Sequence, residues 1–280
     1  MSEQLGTFSF VDRIIDIDAG TRARGSFAVP AALADFSPCL VAEAVGQLAA
    51  WVAMARDDFR RRPLAALAGE ARIVGDATPG RTLQLGVDIE EWDHDAVAYA
   101  GWARCDDRPV IELSYCVGAL LPLEDFDDPE VARQRFALLC ETGSQPGRFA
   151  GVADAEAIVL EREPGRRVRA LLRVPEAAPF FADHFPRRAV FPATLLLDAQ
   201  IRLALELARD VLPCPAGVRL RPVRVADVKL RSFILPGQAV EIVAEEVAAA
   251  GDSIAVVLAA KVGEKRVATA GVNIAAQAQP

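Results

Sequence analysis

Only two histidines occur in the 280 residues of this chain, His94 and His184, so imidazole chemistry has two possible seats. His94 stands in EEWDHD, a charged segment that reads as an exposed turn. His184 stands in FFADHFPRRAVFPATLLLDAQ, where a Pro-studded turn runs into an apolar stretch that carries one carboxylate, Asp198. Proline suits the first turn of a helix because the N–H it lacks would be unpaired there anyway, so a helix is predicted to begin near Pro192. A short stretch thus holds an imidazole, a helix N-terminus with unpaired donors and a carboxylate in apolar surroundings, the parts of general acid–base chemistry. A structural histidine among Phe and Pro is the ordinary alternative. The scarcity of histidine elsewhere favours chemistry.

The elements that must position these groups occur twice. FSFVDRIIDIDAGTRARGSFAVP reads as a strand, a turn at Ala19 and Gly20 and a second strand, and AIVLEREPGRRVRALLRVP repeats it. With Gly20 laid on Gly165, Ile14 falls on Val159, Ile15 on Leu160, Asp18 on Glu163, Val29 on Val174 and Pro30 on Pro175, which marks an internal duplication. After Pro30 the apolar residues recur at helical spacing from Leu40 to Met54, and Glu43 takes the place that Asp198 has in the second copy. Pro30 precedes Glu43 by 13 residues and Pro175 precedes Asp198 by 23, so the first copy lacks the histidine turn. Each copy then continues in three or four strands, with Pro79–Gly80 matching Pro236–Gly237. Between them runs an acidic segment, a short helix and a Gly, Ser and Pro cluster at 143–147, the expected boundary.

The residues HFPRRAVFPATLLLDAQ resemble the active-site motif of the beta-hydroxyacyl-acyl-carrier-protein dehydratases (the FabA/FabZ-like family), where HFPxxPxxPG leads into the central helix of a hot-dog fold. VLEREPGRRVRALLRVPEAAPFF upstream and DVKLRSFILPGQAVEI downstream keep that family's order of strands, so the likeness covers nearly all of the second half. It implies an α+β double hot dog: two tandem repeats, 1–145 and 146–280, each a curved antiparallel sheet wrapped around a long central helix. In the family the histidine and the acid come from different hot dogs. Carried over, His184 pairs with Glu43, and the opposite site, at Asp198, has no histidine. The implied reaction converts a 3-hydroxyacyl thioester to the trans-2-enoyl thioester, with His184 as base and Glu43 as acid. The acyl group would ride on an acyl carrier protein through phosphopantetheine, in fatty-acid, polyketide or polyene synthesis, with no cofactor and no metal. Phe185, Phe191, Ala193, Thr194 and Gln47 are the expected substrate-binding residues, and the N–H groups at Ala193 and Thr194 would hold the thioester oxygen.

Local sequence separates the two carboxylates. Glu43 has Cys39 four residues before and Gln47 four after, with no cation at helical spacing, so it is expected to be desolvated and to hold its proton. Asp198 has Arg202 at i+4, an ordinary helix-face ion pair. Departures from the family motif are Arg187, Ala189 and Ala193, which put the firmness of the turn and the close approach of substrate in question. Arg187 and Arg188 read either as phosphate contacts or as surface ion pairs. Arg60, Arg61 and Arg62 read either as a solvated helix cap or as a docking site for an acidic carrier.

Composition sets the outer limits. A net charge of −8 disfavours nonspecific nucleic-acid binding, and no Gly-rich phosphate loop occurs. Cys39, Cys105, Cys116, Cys140 and Cys214 are scattered and mostly in apolar surroundings, which fits reduced core residues rather than zinc ligands. No apolar run is expected to span a bilayer and no secretory signal is read at the N-terminus, so a cytoplasmic location is expected by default. Two readings stand beside the dehydratase: an acyl thioesterase on the same fold, and an accessory hot dog that binds an acyl chain or carrier protein without turning it over. Further pairing of the double hot dog is left open.

Overall fold

The computed structural model describes residues 7–147, 149–152 and 157–278. Twelve strands form one continuous antiparallel sheet. In the first half these are β1 (Arg13–Asp18), β2 (Arg22–Ala28), β3 (Arg61–Ile73), β4 (Thr82–Trp92), β5 (Ala96–Cys105) and β6 (Arg108–Pro122). The second half holds β7 (Ala157–Glu163), β8 (Arg167–Arg173), β9 (Val218–Leu230), β10 (Ala239–Ala250), β11 (Ser253–Val262) and β12 (Lys265–Ala278). Helix α1 (Pro38–Arg56) follows β2, α2 (Pro129–Glu141) joins the halves, and α3 (Ala193–Ala208) follows β8.

The strand order is β1-β2-β4-β5-β6-β3-β9-β12-β11-β10-β8-β7, a palindrome about the β3–β9 pair. That pair is antiparallel, with Leu67 against Lys229, Glu70 against Ala226 and Arg72 against Arg224. Each half therefore has four strands after its helix. The first of them, β3, takes in Arg61 and Arg62, which corrects the reading of the arginine run as a solvated helix cap. Turn chemistry follows the sequence: Asp106 and Asp107 both have φ near +50 to +60°, as a two-residue hairpin between β5 and β6 demands.

The helices sit inside the curve of the sheet. α1 begins at an N-cap Ser37 whose hydroxyl accepts from the Cys39 N–H, and Pro38 occupies its first position. Leu40, Val41, Ala44, Val45, Leu48, Ala49 and Val52 are all buried, so α1 is apolar over most of its circumference because sheet and second helix surround it. At 19 residues with a mean hydropathy of 1.4 it is long and apolar enough to cross a bilayer, contrary to the expectation that no stretch approaches that length. Its contacts are with β1 to β6 and α3, those of a core helix. α3 buries Leu196, Gln200, Ile201, Leu203, Ala204 and Leu207 against the second half of the sheet.

Candidate active site

The two helices meet near their N-termini, and that crossing builds the site. Glu43 is the sixth residue of α1 and Asp198 the sixth of α3, so the two carboxylates are related by the pseudo-twofold axis. Around Glu43 the structure gathers Gln47, Thr194 and His184 on the wall of one cavity of about 770 Å³. The Gln47 amide donates to Glu43 Oε1 at 3.0 Å, and the Thr194 hydroxyl, from the other repeat, donates to Oε2 at 2.8 Å. Gln47 also accepts from the Phe10 N–H at 2.8 Å and donates to the Phe8 carbonyl at 3.1 Å. It is thus a fixed orienting amide rather than a solvated one.

His184 lies between aromatic rings, stacked on Phe185 at 4.0 Å between centroids and edge-on to Phe8 at 6.0 Å. Its Nδ1 is 2.9 Å from the Val190 carbonyl, which can only accept. Burial is the largest influence on the ring and pushes its pKa below the ordinary 6.5, against the opposing pull of the Glu43 carboxylate and the Val190 carbonyl. A neutral imidazole that donates from Nδ1 leaves the Nε2 lone pair free. His94, by contrast, is exposed and paired with Asp95 at the surface.

The turn that carries His184 is firmer than its altered motif suggested. Val190 N–H donates to the His184 carbonyl at 2.9 Å, and the Phe185 and Arg188 N–H groups each donate to the other residue's carbonyl at 3.2 and 3.1 Å. Arg187 reaches the Glu124 carbonyl and pairs with Asp128 at 2.7 Å, tying the turn to the connector between the repeats. It is therefore a surface ion pair and not a free phosphate contact. Arg188 lies over the rings of Phe126 and Phe233 at 5.5 and 4.8 Å.

At the start of α3, neither the Ala193 nor the Thr194 N–H is bonded to any described residue, and both residues line the cavity. Phe185 and Phe191 line it as well, both buried. All the expected site residues therefore line one cavity.

Sequence reasoning missed three contributors. The segment before β1 covers the histidine, with Phe8 against the ring and the Phe8 N–H held by Asp183 Oδ2 at 2.7 Å. The connector supplies Asp127 and Arg135, paired at 3.2 Å, to the cavity wall. Arg62 also reaches the cavity, stacked over Phe185 at 3.9 Å. No cation stands at helical spacing from Glu43 within α1, but Arg62 approaches from β3 and interacts with it electrostatically. No pattern local to α1 announces a strand residue.

Around Asp198 the same positions are filled differently. Ser37 donates a short hydrogen bond to Asp198 Oδ1, and Arg202 pairs with it at 2.9 Å. Ser37, Asp198 and Arg202 are not part of the cavity wall. All five cysteines are free, with Cys39, Cys105 and Cys116 buried, while Cys214 is exposed, against the expectation of a core residue.

Comparison with known proteins agrees with this architecture. Residues 160–269 match the family model described as ApeI-like, ApeI dehydratase. A 3-hydroxyacyl-[acyl-carrier-protein] dehydratase FabZ of Symbiobacterium thermophilum is 36% identical over 92 residues, 32% of this chain and 63% of that protein. The FabZ of a Polaromonas species is 44% identical over 54 residues, 19% of this chain and 37% of its own length. The matched region thus spans between about a third and two thirds of these relatives.

Among solved structures, the dehydratase domain of PpsC from Mycobacterium tuberculosis, in complex with C12:1-CoA, superposes with a TM-score of 0.57 at 17% identity, covering 97% of this chain and all of that one. An acyl-ACP thioesterase from Bacteroides thetaiotaomicron gives 0.54 at 10% identity over 90% of this chain and 97% of its own. Fold and site together define a double hot-dog protein. Its second repeat is similar to the FabA/FabZ-like dehydratases.

Proposed function

We propose that this protein dehydrates 3-hydroxyacyl thioesters at a single composite site, giving the trans-2-enoyl thioester and water. The observation that carries the reading is the pairing across repeats: a neutral imidazole of the second repeat and the carboxyl group of Glu43 in the first share one largely apolar cavity. His184 Nε2 takes the C2 proton, the C2–H electron pair becomes the C2–C3 double bond, and the C3–O bond breaks as Glu43 delivers a proton to the leaving hydroxyl. Charge that develops on the thioester oxygen meets the free Ala193 and Thr194 N–H groups at the positive end of α3. Gln47 and Thr194 hold Glu43 in place. The acyl chain extends along α1 past Gly46, Ala50 and Met54, which line the same cavity.

The carrier is an acyl carrier protein. Arg188, Arg231 and Lys265 are exposed residues of the cavity rim, and none of them has an ion pair with a described residue. A cluster of free cations on a chain of net charge −8 suits a phosphopantetheine phosphate and an acidic partner. The repeats act as 1–145, supplying Glu43, and 146–280, supplying His184, and the setting is the cytoplasm, where such carriers work.

One observation favours a second reading. A carboxylate held by two donors can also direct water at the thioester carbonyl, which is thioesterase chemistry, and the hot dogs of similar fold include an acyl-ACP thioesterase. A single assay separates the readings, following enoyl absorbance and free thiol together on 3-hydroxyacyl and crotonyl thioesters. Enoyl interconversion by wild type, lost in His184→Ala and Glu43→Gln, supports the dehydratase. Thiol release without enoyl formation supports the thioesterase, and binding without either reaction supports an accessory role.

A further inference from the structure

Arg62 and Arg219 are each the second residue of a thirteen-residue strand, β3 and β9, and so are related by the same pseudo-twofold as the two carboxylates. Arg219 has a countercharge, since it pairs with Asp76 in the loop after β3, a carboxylate that Arg221 engages as well. Asp76 stands three residues before the Pro79–Gly80 turn, and the residue three before Pro236–Gly237 in the second repeat is Phe233. Where Arg219 meets a carboxylate from the facing repeat, the equivalent position facing Arg62 carries no charge.

Arg62 has no hydrogen bond or ion pair with any described residue, and its buried Nε lacks a partner. Its one recorded contact is the face of Phe185 at 3.9 Å. Asp127, the nearby acid that attracts it most, is already engaged by Arg135. Burial pulls the guanidinium down to about 10, so it remains charged at neutral pH. A half-buried cation whose Nε lacks a partner is costly to keep, and it persists in the cavity that His184 and Glu43 line.

Resting on the thioester reading of this cavity, we infer that Arg62 is a further catalytic residue, whose guanidinium donates to the thioester carbonyl oxygen and carries the charge that develops there. Arg62 interacts electrostatically with both His184 and Glu43, which act on C2 and C3, so the oxygen within its reach is the one on C1. A phosphate at the far end of a pantetheine arm is too distant from C2 and C3 to be its ligand. The α3 N–H groups and a fixed guanidinium would then bracket one oxygen, preorganised for the transition state.

The test is steady-state kinetics and thermal melting of wild type, Arg62→Met, Arg62→Lys and Arg219→Met, reading dehydration and thiol release in parallel. Arg62→Met is expected to lose about 100-fold or more in kcat with KM little changed. Its melting temperature should be unchanged or raised, because a desolvated unpaired charge has been removed. Arg62→Lys keeps part of kcat, and added guanidinium ion restores part of the Met variant's. Arg219→Met shows the reverse pattern, a lower melting temperature with kcat unchanged.

The inference is overturned if Arg62→Met keeps kcat within about twofold, or if its loss follows a fall in melting temperature and guanidinium restores nothing. Carbonyl charge develops in hydrolysis too, so thiol release by wild type that depends on Arg62 would sink the dehydratase reading alone. Dehydration that is indifferent to Arg62 would sink this inference alone. No turnover of either kind overturns both.

Discussion

The two ends of the pseudo-twofold axis carry the same backbone and opposite chemistry. Around Glu43, an amide at the tenth helix position and a hydroxyl from the facing helix orient the carboxyl group toward a cavity. Around Asp198 the tenth position is Arg202, which makes an ion pair, and the facing hydroxyl is the Ser37 N-cap. The helix starts differ in the same sense. α3 presents free N–H groups at Ala193 and Thr194, whereas α1 begins with Pro38, which has none, and commits the Cys39 N–H to Ser37 at 3.2 Å. One end is arranged to receive a ligand's charge and the other to satisfy its own.

The most forceful way to break that comparison is to show that both ends work. His184→Ala and Glu43→Gln are each expected to lower kcat by about 10² to 10⁴, while Asp198→Asn stays within a few-fold of wild type. The double variant His184→Ala/Asp198→Asn should be no slower than His184→Ala alone. A further drop in the double variant, or an equal loss in Asp198→Asn, would mean that the second carboxylate takes part.

A smaller effect sharpens the same point through pH. Burial holds His184 below its ordinary 6.5, so the base is neutral through the neutral range and protonates only on further acidification. The acid limb of kcat/KM for wild type is expected below pH 6.5, with activity falling about tenfold per unit below it. A limb above pH 6.5 would show that the imidazole is more solvated, or more strongly influenced by Glu43, than the packing of Phe8 and Phe185 implies.

The hydroxyls offer a crossed pair of outcomes. Thr194→Val removes a donor that orients the Glu43 carboxyl group and is expected to cost about tenfold in kcat/KM, the size of one hydrogen bond, with little change in melting. Ser37→Ala removes a helix cap and is expected to cost about 1 kcal/mol in stability with kcat unchanged. If Ser37→Ala were the variant that lost activity, the assignment of the working end would be reversed.

Much of this asymmetry could be read before any coordinates, because it lies in short-range differences between aligned copies. The missing histidine turn, Glu43 against Asp198, and Gln47 against Arg202 are all visible once the repeat is recognised. The helices and most strands were legible from periodicity and turn residues. What escaped was supplied at long range: Phe8 from the segment before β1, Asp127 and Arg135 from the connector, and Arg62 from a strand that reads as a helix cap. Arginine at the end of a helix is normally solvated, and only the pairing of β3 with β6, which sets Arg62 against Leu121 and is unpredictable from local pattern, makes it a strand residue. Cys214 failed for a similar reason, since an apolar neighbourhood in sequence does not guarantee one in space.

The smallest expected effect lies in the ion pair of the inactive end. Arg202 is 56% exposed at its side chain while Asp198 is 17% exposed, so solvent screens the pair from one side. Such pairs contribute between nothing and about 1 kcal/mol, and Ser37 still donates to Asp198 when Arg202 is gone. Arg202→Ala is therefore expected to lower the melting temperature by about 1 to 3 °C and to leave kcat and KM untouched. The informative variant is Arg202→Gln, which gives Asp198 the same tenth-position amide that Glu43 has. If it gained turnover in a His184→Ala background, histidine would not be what separates the two ends; Asp198 lies off the wall of the 770 Å³ cavity, and Pro38 and Cys39 offer no free N–H, which argues that it will gain none.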